Sequence, residues 1–370
     1  MLTRAPRSAV LIASPRVQQD KHITRRVREL LQQRGIILDE VYPVATLDGK
    51  PSMAGRWQRA GVDLVIAAGG DGSIGCAATH VARSALPLGI LPLGTSNDFA
   101  RSLRLPLDLE SACQTIAEGK VQAIDLGSAA PAVTTPYALN PGEAPRSKQV
   151  AAPTGGFQYA YFTHALTLGL NVAFARMATS ETTRQLFGAL TYPIAALGTL
   201  HTFQAMDFTL TFHSPACPLV REDGSDDELE PDHPYQFQAL QVAVLNSPIF
   251  GGQFEFSLAG VQLDDHLLDI LIVERFHPGQ LVSGALTALA PPKDGWREAR
   301  SSEFPGIHHI KAHGVTIETA EPADVTLDGE IRGRTPIHVV SAARALKVMV
   351  PAAALVPEAQ KESSGTSSGS

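Results

Sequence analysis

The sequence predicts an α/β protein in two parts, a Rossmann-like unit with a parallel sheet and then a β-rich, β-sandwich-like unit. Three observations support this prediction. Apolar runs alternate with amphipathic segments up to about residue 127, two of these runs end in glycine-rich loops, and the chain becomes rich in strand-like runs after residue 158. Alternating strands and helices favour a parallel sheet, which binds ligands beyond the carboxyl ends of its strands.

Composition and charge narrow the class of protein. The 370 residues are 44% hydrophobic and 18% charged, as in ordinary globular domains, and the chain is long enough for two of them. The net charge of −7 argues against a nucleic-acid-binding protein, whose binding surface is basic. Three widely spaced cysteines predict neither a disulfide framework nor a zinc site, in keeping with a reducing cytoplasm.

Two apolar segments bear on membrane insertion. Residues 10–13 form too short a run for a signal peptide and predict the first strand. Residues 187–206 are the most apolar long stretch, but polar residues and Pro193 interrupt it, so a core helix is expected instead of a membrane span. One face of that segment is a candidate for contact with lipid.

The first elements follow in order from the apolar spacing. After the strand at 10–13 comes an amphipathic helix that ends at Gly35, then a strand at 36–44. A second helix, which includes Trp57, precedes the strand at 62–68. The apolar positions of the first helix are Ile23, Val27, Leu30 and Leu31.

Two glycine-rich loops follow the next strands. The first closes the segment 64–73 and the second lies within the segment 88–101. At such strand-to-helix turns the backbone N–H groups are unpaired, and glycine lets an anion approach them closely. Each loop also carries an aspartate, Asp71 or Asp98. The pair therefore predicts a phosphate site with carboxylates placed to hold a metal.

The second half of the chain is rich in strands. Residues 128–158 lack any periodic pattern and predict an irregular loop, and the acidic stretch 221–232 predicts a solvated hairpin loop. Asp328 and Gly329 predict a hairpin turn. The tail at 358–370 is expected to be disordered. The predicted strands are 159–170, 207–212, 236–246, 254–258, 267–273, 337–340 and 346–350.

Five short motifs, taken together and in this order, resemble the diacylglycerol kinase catalytic-domain family, in particular the soluble bacterial lipid kinases. The resemblance extends from about residue 10 to residue 351, and the second motif is highly specific. The first motif alone is less specific, because NAD kinases share it. The motifs are Gly-Gly-Asp-Gly-Ser at 69–73, Pro-Leu-Gly-Thr-Ser-Asn-Asp-Phe-Ala-Arg at 92–101, Ile-Asp-Leu-Gly at 124–127, Asp-Asp-His-Leu-Leu-Asp at 264–269 and Leu-Asp-Gly-Glu at 327–330.

The resemblance implies a domain organisation. Residues 1–127, joined by a return segment at 335–352, would form the ATP-binding domain. Residues 128–334 would form the β-rich lipid-substrate domain, with an irregular insert at 128–158. The active site would lie in the cleft between the two domains.

The resemblance also implies roles for particular residues. Asp71, Asp98 and Asp125 would form the acidic network that positions Mg²⁺, and Glu330 would be the general base. A separate structural Mg²⁺ would take the carboxylate of Asp265 and two backbone carbonyls, those of Gln262 and Leu267. The implied ATP contacts are Thr46, Gly69, Gly70, Asp71, Gly72, Ser73, Ile74, Gly75, Gly94, Thr95 and Asn97.

These roles agree with the chemistry of phosphoryl transfer. The reaction requires positioning and neutralisation of phosphate charge, which glycine N–H groups and a hard cation provide. A primary alcohol attacks poorly unless a carboxylate accepts its proton. The resemblance, together with this chemistry, implies an ATP-dependent lipid kinase that uses Mg²⁺, with diacylglycerol as the expected acceptor, and that contacts the cytoplasmic face of a membrane transiently. Whether it forms a homodimer stays open.

The chain departs from the family pattern at four places. Ser14-Pro15 replaces Asn-Pro at the end of the first strand, and Ser73 replaces threonine with retention of the hydroxyl. Gly75-Cys76 replaces Asn-Glu, which removes an expected nucleotide contact. His266 replaces the glycine of the structural metal loop.

Two other functions stay open at the level of sequence. An NAD kinase-like enzyme shares the first glycine motif, but the motif at 92–101 and the terminal Leu-Asp-Gly-Glu argue against it. A non-catalytic module that binds lipid or nucleotide would explain the altered motifs. Retention of all four carboxylates argues against that module, because it would have no chemical need for them.

Overall fold

The computed structural model confirms a two-part α/β fold in which one mixed sheet extends from the first part into the second. Each strand and helix below belongs to the residues that the structure describes. These are 8–132, 160–170, 172, 204–213, 219–220, 226–227, 229–250, 256–258, 260–274, 297–299 and 306–352.

The N-terminal part is a parallel sheet in the order β2-β1-β3-β4, as the alternating pattern predicts. Three of its strands, β1, β3 and β4, are almost entirely apolar because helices cover both faces, whereas β2 at the edge carries the exposed residues Asp39 and Glu40. The strands are β1 (Ser8–Ala13), β2 (Ile37–Pro43), β3 (Leu64–Gly69) and β4 (Leu88–Pro92). The helices are α1 (Pro15–Gln19), α2 (Lys21–Gln33), α3 (Val44–Leu47), α4 (Ala54–Arg59), α5 (Asp71–Val81), α6 (Asp98–Ser102) and α7 (Leu109–Glu118).

The amphipathic helix predicted after the first strand is confirmed as α2. Asp20 caps it by accepting hydrogen bonds from the backbone N–H groups of His22 and Ile23. Its apolar stripe, which includes Val27, is buried against the sheet. The helix ends just before Gly35, whose φ of 77° is a left-handed conformation that favours glycine.

Two long strands connect the halves of the molecule. They are β5 (Lys120–Pro131) and β21 (Ile337–Val350), which pair antiparallel along most of their length. Near its end β21 also pairs parallel with β4. The prediction of separate strands at 337–340 and 346–350 is wrong, because β21 passes through both with a bulge next to Arg344. The proposed boundaries of the two domains stay predictions.

The C-terminal part adds antiparallel strands to the first sheet and forms a second one. The first sheet continues from β21 through β18 and β8 to β11, and the second has the order β17-β15-β12-β7-β19-β20. The strands of this part are β6 (Ala160–Phe162), β7 (Ala165–Gly169), β8 (Met206–His213), β9 (Leu219–Val220), β10 (Asp226–Asp227), β11 (Pro234–Ala239), β12 (Gln241–Leu245), β13 (Ile249–Phe250), β14 (Phe256–Leu258), β15 (Leu268–Val273), β16 (Arg297–Ala299), β17 (Ile307–Ala312), β18 (Gly314–Thr319), β19 (Asp324–Leu327) and β20 (Glu330–Arg334).

Two predicted strands are each broken into two. The segment 236–246 forms the end of β11 and all of β12, which lie in different sheets on either side of Leu240. The segment 159–170 forms β6 and β7, with Thr163 and His164 between them. Neither break contains a glycine or a proline, so the sequence carries no turn signal at either place.

The C-terminal part is sandwich-like, as predicted, because its main core lies between the two sheets. Phe208, Phe212 and Ile317 from the first sheet share this core with Leu168 and Ile270 from the second, and all five side chains are completely buried. Burial of apolar side chains on this scale stabilises the packing of one sheet on the other.

Several predicted segments lie outside the described residues. These are most of the irregular insert, from residue 133 to 158, most of the apolar segment, from 187 to 203, and the tail at 358–370. Of the predicted acidic hairpin at 221–232, the structure describes residues 226–227 and 229–232, and β10 pairs antiparallel with β9 just before that segment. Within the described part of the chain, no helix has the length and apolar character that a membrane crossing requires.

The sheet between β8, β18 and β21 carries a histidine pair that leads to a prediction about stability. Burial and the neighbouring ring of His213 lower the pKa of His338 to about 4. A histidine in the unfolded chain has a pKa of about 6.5. As the pH falls from 6.5 towards 4, the unfolded chain therefore gains a proton that the folded chain excludes, and stability is lost.

We expect the free energy of unfolding to be lower at pH 4.5 than at pH 7, with His338 contributing about 2 kcal/mol of the difference. His338→Asn should remove that contribution, and urea titrations at the two pH values measure it. His22→Asn, at an exposed histidine, serves as the control. If the free energy of unfolding of His338→Asn changed between pH 7 and pH 4.5 as much as that of the wild type, this account of the histidine pair would be contradicted.

Candidate active site

The two predicted glycine loops meet at the carboxyl edge of the parallel sheet. Strands β3 and β4 are neighbours in register, with Gly69 opposite Pro92, so their loops leave the sheet side by side. A Cβ atom built on Gly94 would overlap the Cα atom of Gly70 and would lie 2.9 Å from its nitrogen. The two loops therefore form one continuous backbone surface, which only glycine at these positions permits.

Asn97 shapes the second loop. Its side-chain oxygen accepts a hydrogen bond from the N–H of Gly94 at 2.9 Å, and its side-chain nitrogen donates to the carbonyl of Gly94 at 3.1 Å. Asn97 itself adopts a left-handed φ of 53°. The side-chain amide of Asn97 is thus engaged within the loop. Thr95, which lies between Gly94 and Asn97 in the sequence, is exposed.

Asp71 and Asp98 each begin a helix at this edge. The Oδ1 atom of Asp71 accepts a hydrogen bond of 3.0 Å from the backbone N–H of Phe99, in the first turn of α6. Asp71 therefore caps the helix that follows the other loop and ties the two loops together. The side chain of Asp98 is buried, with 6% of its surface exposed, so this carboxylate is not a solvated group at the cleft surface.

The remaining predicted ATP contacts divide into surface and interior positions. Gly72 and Thr46 are exposed, and the Thr46 hydroxyl donates to the carbonyl of Pro43. Ser73 and Ile74 are buried. A Cβ atom on Gly69 would approach within 2.9 Å of Ser14 and closer still to Ser73, so Gly69 lies inside the packed end of β3.

Glu330 faces the first glycine loop. The two-residue Asp328-Gly329 turn joins β19 to β20, as the sequence predicts, and places Glu330 at the start of β20. A Cβ atom on Gly72 would lie 3.7 Å from Glu330 Oε1, although these residues are far apart in sequence. The Glu330 side chain is 58% exposed. This carboxylate therefore lies over the first turn of α5, within reach of a ligand bound to the loop.

Arg332 forms an ion pair with Glu330 and links it to the N-terminal part. Its guanidinium donates to Glu330 and, at 2.9 Å, to Asp48 just after α3. The thiol of Cys76 is nearby, and burial raises its pKa to about 11, so it is protonated at neutral pH. No sequence motif indicates Arg332 or Asp48. An arginine two residues after the predicted base is the signal in the sequence that could have indicated the ion pair between Arg332 and Glu330.

Asp328 anchors the hairpin that carries Glu330. Its buried carboxylate accepts hydrogen bonds from the backbone N–H groups of Thr163, His164 and Ala165 and from the Thr163 hydroxyl, at 2.8–3.1 Å. Burial raises its pKa, and the nearby ring of His164 opposes that rise. These bonds satisfy the backbone at the break between β6 and β7 and fix the turn there.

Asp328 also lies close to Gly75, where the family pattern has a larger residue. A Cβ atom on Gly75 would lie 2.9 Å from Asp328 Oδ2, closer than real Cβ contacts occur. Gly75 lies inside helix α5, where alanine normally stabilises by about 1 kcal/mol relative to glycine. The carboxylate of Asp328 therefore occupies the space into which a side chain at position 75 would extend.

We expect Gly75→Ala to lower the free energy of unfolding by about 1–3 kcal/mol, since the added methyl group must displace Asp328. The matched control is Gly55→Ala in helix α4, where the new Cβ would meet Arg59 at an ordinary 3.5 Å. Urea denaturation of both variants measures the difference. Equal stabilisation of the two variants would show that Asp328 does not pack against α5 as described.

Asp125 lies in the interior, with 1% of its surface exposed. Its carboxylate accepts the backbone N–H of His266 at 2.7 Å and that of Arg344 at 2.6 Å, and it contacts His266 Nδ1 at 3.1 Å. Both residues that donate these N–H groups have left-handed φ values, 64° for His266 and 50° for Arg344. Asp125 thus joins β5, the loop before β15 and the bulge of β21, and its predicted part in the acidic network stays a prediction.

The residues predicted for a structural Mg²⁺ do not fit that ion. The Oδ2 atom of Asp265 lies 2.7 Å from the ammonium nitrogen of Lys311, and its Oδ1 atom accepts the N–H of Leu267 at 3.1 Å. The ammonium group of Lys311 therefore already pairs with Asp265, which supplies the one carboxylate among the three predicted ligands. Gln262, another of the three, is exposed. Among the residues that the structure describes, no cluster of three or more His, Cys, Asp or Glu side chains could hold a metal.

The fold and the site together define an α/β protein in which two glycine loops form one backbone surface at the edge of the parallel sheet, with a carboxylate facing it. Residues 9–129 match the diacylglycerol kinase catalytic domain, and residues 165–350 match the YegS C-terminal NAD kinase beta sandwich-like domain. The chain belongs to the family of the second model, which matches half of its length, and its N-terminal part is a diacylglycerol kinase catalytic domain, as the motifs indicated.

Curated relatives and solved structures agree with this assignment. The chain is 24% identical over 291 residues to a diacylglycerol kinase of Staphylococcus saprophyticus, covering 78% of this chain and 77% of the relative. It is 23% identical over 309 residues to a diacylglycerol kinase of Staphylococcus aureus, covering 83% and 79%. A crystal structure of a diacylglycerol kinase from Bacillus anthracis shares the fold, with a TM-score of 0.56 and 19% identity over 95% of this chain and 99% of that one.

Proposed function

We propose that this protein transfers the γ-phosphate of ATP to the hydroxyl group of a membrane lipid, with diacylglycerol as the acceptor and phosphatidic acid as the product. The position of Glu330 opposite the joined glycine loops is the observation that carries the proposal. An alcohol attacks phosphorus well only when its proton is accepted, and Glu330 would be the carboxylate that accepts it. Membership of the family and the names of the relatives support a lipid acceptor.

The joined loops would bind the phosphates of ATP. The N-terminus of α5 presents unpaired N–H groups and the positive end of a helix dipole, both of which attract phosphate. Gly70 and Gly94 bring the two backbones into contact there, and Gly72 and Thr95 are exposed on the surface that they form. The buried residues Ser73 and Ile74 would support this surface from below.

Mg²⁺ would enter with the nucleotide and fits the donors at this edge. Asp71 uses one carboxylate oxygen to cap α6, and carboxylate oxygens are the ligands that Mg²⁺ prefers. When bound, the ion would neutralise charge on the β- and γ-phosphates. Asp98, being buried, would position Asp71 and the loop, and Asp125 would hold the adjoining segments in place.

Within this scheme Arg332 would hold the base in place. Its guanidinium connects Glu330 on the hairpin to Asp48 in the N-terminal part, so the carboxylate would be oriented from both parts of the protein. The lipid would approach from the β-rich side, proposed as residues 128–334. Transient contact with a bilayer follows from an acceptor that does not dissolve in water, and residues 187–206 stay a candidate for that contact.

Transfer of label from γ-labelled ATP to a panel of acceptors tests the proposal. The panel holds diacylglycerol, monoacylglycerol, ceramide and sphingosine in mixed micelles, and NAD in solution. We expect Mg²⁺-dependent labelling of diacylglycerol above all other acceptors. Labelling of NAD alone would favour the NAD kinase-like alternative, and nucleotide binding without transfer to any acceptor would favour the non-catalytic module.

A further inference from the structure

The loop at 263–267, just before β15, is held by charged side chains of this chain. We propose that the ammonium group of Lys311 takes the place of a structural divalent ion in this loop and fastens it to the second sheet. Lys311 lies on β17, directly opposite Asp269 on β15. Its ammonium nitrogen is 2.7 Å from Asp265 Oδ2 and 3.6 Å from Asp269 Oδ1, so it bridges the loop and the strand.

The charges around Lys311 require a cation at this point. Asp269 is 1% exposed, and its Oδ1 atom lies 2.6 Å from His309 Nε2. Its Oδ2 atom is buried with no hydrogen-bond partner among the described residues. A buried carboxylate is costly unless a positive charge compensates it, and here a second carboxylate, Asp265, stands beside it. The ammonium of Lys311 is the permanent positive charge that lies between the two carboxylates.

A divalent ion at the predicted position would conflict with this arrangement. Mg²⁺ requires about six oxygen ligands in an octahedron at about 2.0–2.1 Å. Both oxygens of Asp265 already accept hydrogen bonds, one from Lys311 and one from the backbone of Leu267. An ion bound to that carboxylate would stand next to the ammonium group, and repulsion between the like charges would drive one of them out.

The opposite side of the loop is fastened by His266. Its backbone N–H donates to Asp125 Oδ2 at 2.7 Å, and its Nδ1 atom contacts the same carboxylate. These bonds hold a non-glycine residue at a left-handed φ of 64°, where the family pattern has glycine. The loop is therefore attached to the first sheet through His266 and to the second through Lys311, without a metal ion.

Metal analysis and thermal melting of the full-length protein test this inference without nucleotide or lipid. The result is thus independent of whether the proposed kinase activity is correct. After purification in metal-free buffer, we expect the wild-type protein to hold substoichiometric magnesium and calcium by inductively coupled plasma mass spectrometry. We also expect its Tm to be the same with and without EDTA.

Lys311→Met removes the ammonium and keeps the apolar stem of the side chain. We expect its Tm to fall by roughly 5–10 °C, because one partner of a largely buried ion pair is lost. Added Mg²⁺ should raise the Tm of this variant and leave that of the wild type unchanged. The matched control is Lys347→Met, at an exposed lysine of strand β21, which should melt like the wild type.

Two results would overturn the inference. One is stoichiometric magnesium in the wild-type protein that is lost in Asp265→Asn, which would show that the carboxylate binds a metal after all. The other is a Lys311→Met variant that melts like Lys347→Met. If Lys311→Met does not fold, the metal content and EDTA response of the wild type decide the question alone.

Discussion

Glu330→Gln should lower kcat by about 10²–10⁴-fold and leave the Kd for MgATP nearly unchanged. Glutamine has the size of glutamate but cannot accept the proton of the attacking hydroxyl. The hairpin should keep its position in the variant, because Asp328 holds the turn through hydrogen bonds from Thr163, His164 and Ala165. Steady-state kinetics with diacylglycerol, together with a titration of MgATP, measure the two constants.

The control for this variant is Glu318→Gln, at an exposed glutamate of β18 that is not part of the site. It should show wild-type kinetics. A normal kcat in Glu330→Gln would show that another group accepts the proton. Loss of ATP binding would instead place Glu330 among the nucleotide contacts, and the assignment of a base would then be wrong.

Gly94→Ala should abolish ATP binding and lower the free energy of unfolding by at least about 2 kcal/mol. The added Cβ would overlap the backbone of Gly70 and would lie 2.9 Å from Asn97 Oδ1. Because backbone atoms cannot move aside as a flexible side chain can, the two loops would have to separate. The surface proposed to bind phosphate would then no longer exist as one piece.

Calorimetric titration with MgATP and urea denaturation measure these two effects. Gly72→Ala is the control for stability, because its Cβ would meet Glu330 at an ordinary 3.7 Å. We expect that control to be at least as stable as the wild type. Wild-type ATP affinity in Gly94→Ala would show that the nucleotide binds away from the joined loops.

Local patterns predicted the elements whose structure is determined by neighbours in sequence. Helix α2 follows from apolar spacing and from Gly35, and the β19–β20 turn follows from Asp328 and Gly329. The approach of the two glycine loops follows from a general property of parallel sheets, since loops at the carboxyl ends of adjacent strands must be neighbours. The helix, the turn and the approach of the two loops were therefore predictable from the sequence alone.

The parts that sequence did not predict depend on contacts across long separations. The bulge of β21 is held by a bond from Arg344 to Asp125, which is 219 residues away. The pairing of Lys311 with Asp265 depends on the register between β17 and the loop before β15. The break between β6 and β7 is stabilised by Asp328, more than 160 residues further along. No local pattern encodes such contacts, because each needs the assembled sheets.

Mass spectrometry of the lipid product tests the central claim most directly. The wild-type protein and Glu330→Gln would be incubated side by side with diacylglycerol, Mg²⁺ and ATP carrying ¹⁸O in its γ-phosphate. We expect phosphatidic acid that bears the labelled phosphoryl group with the wild type, and only traces of it with the variant. Labelled inorganic phosphate or labelled NADP from added NAD, with diacylglycerol unchanged, would contradict the account.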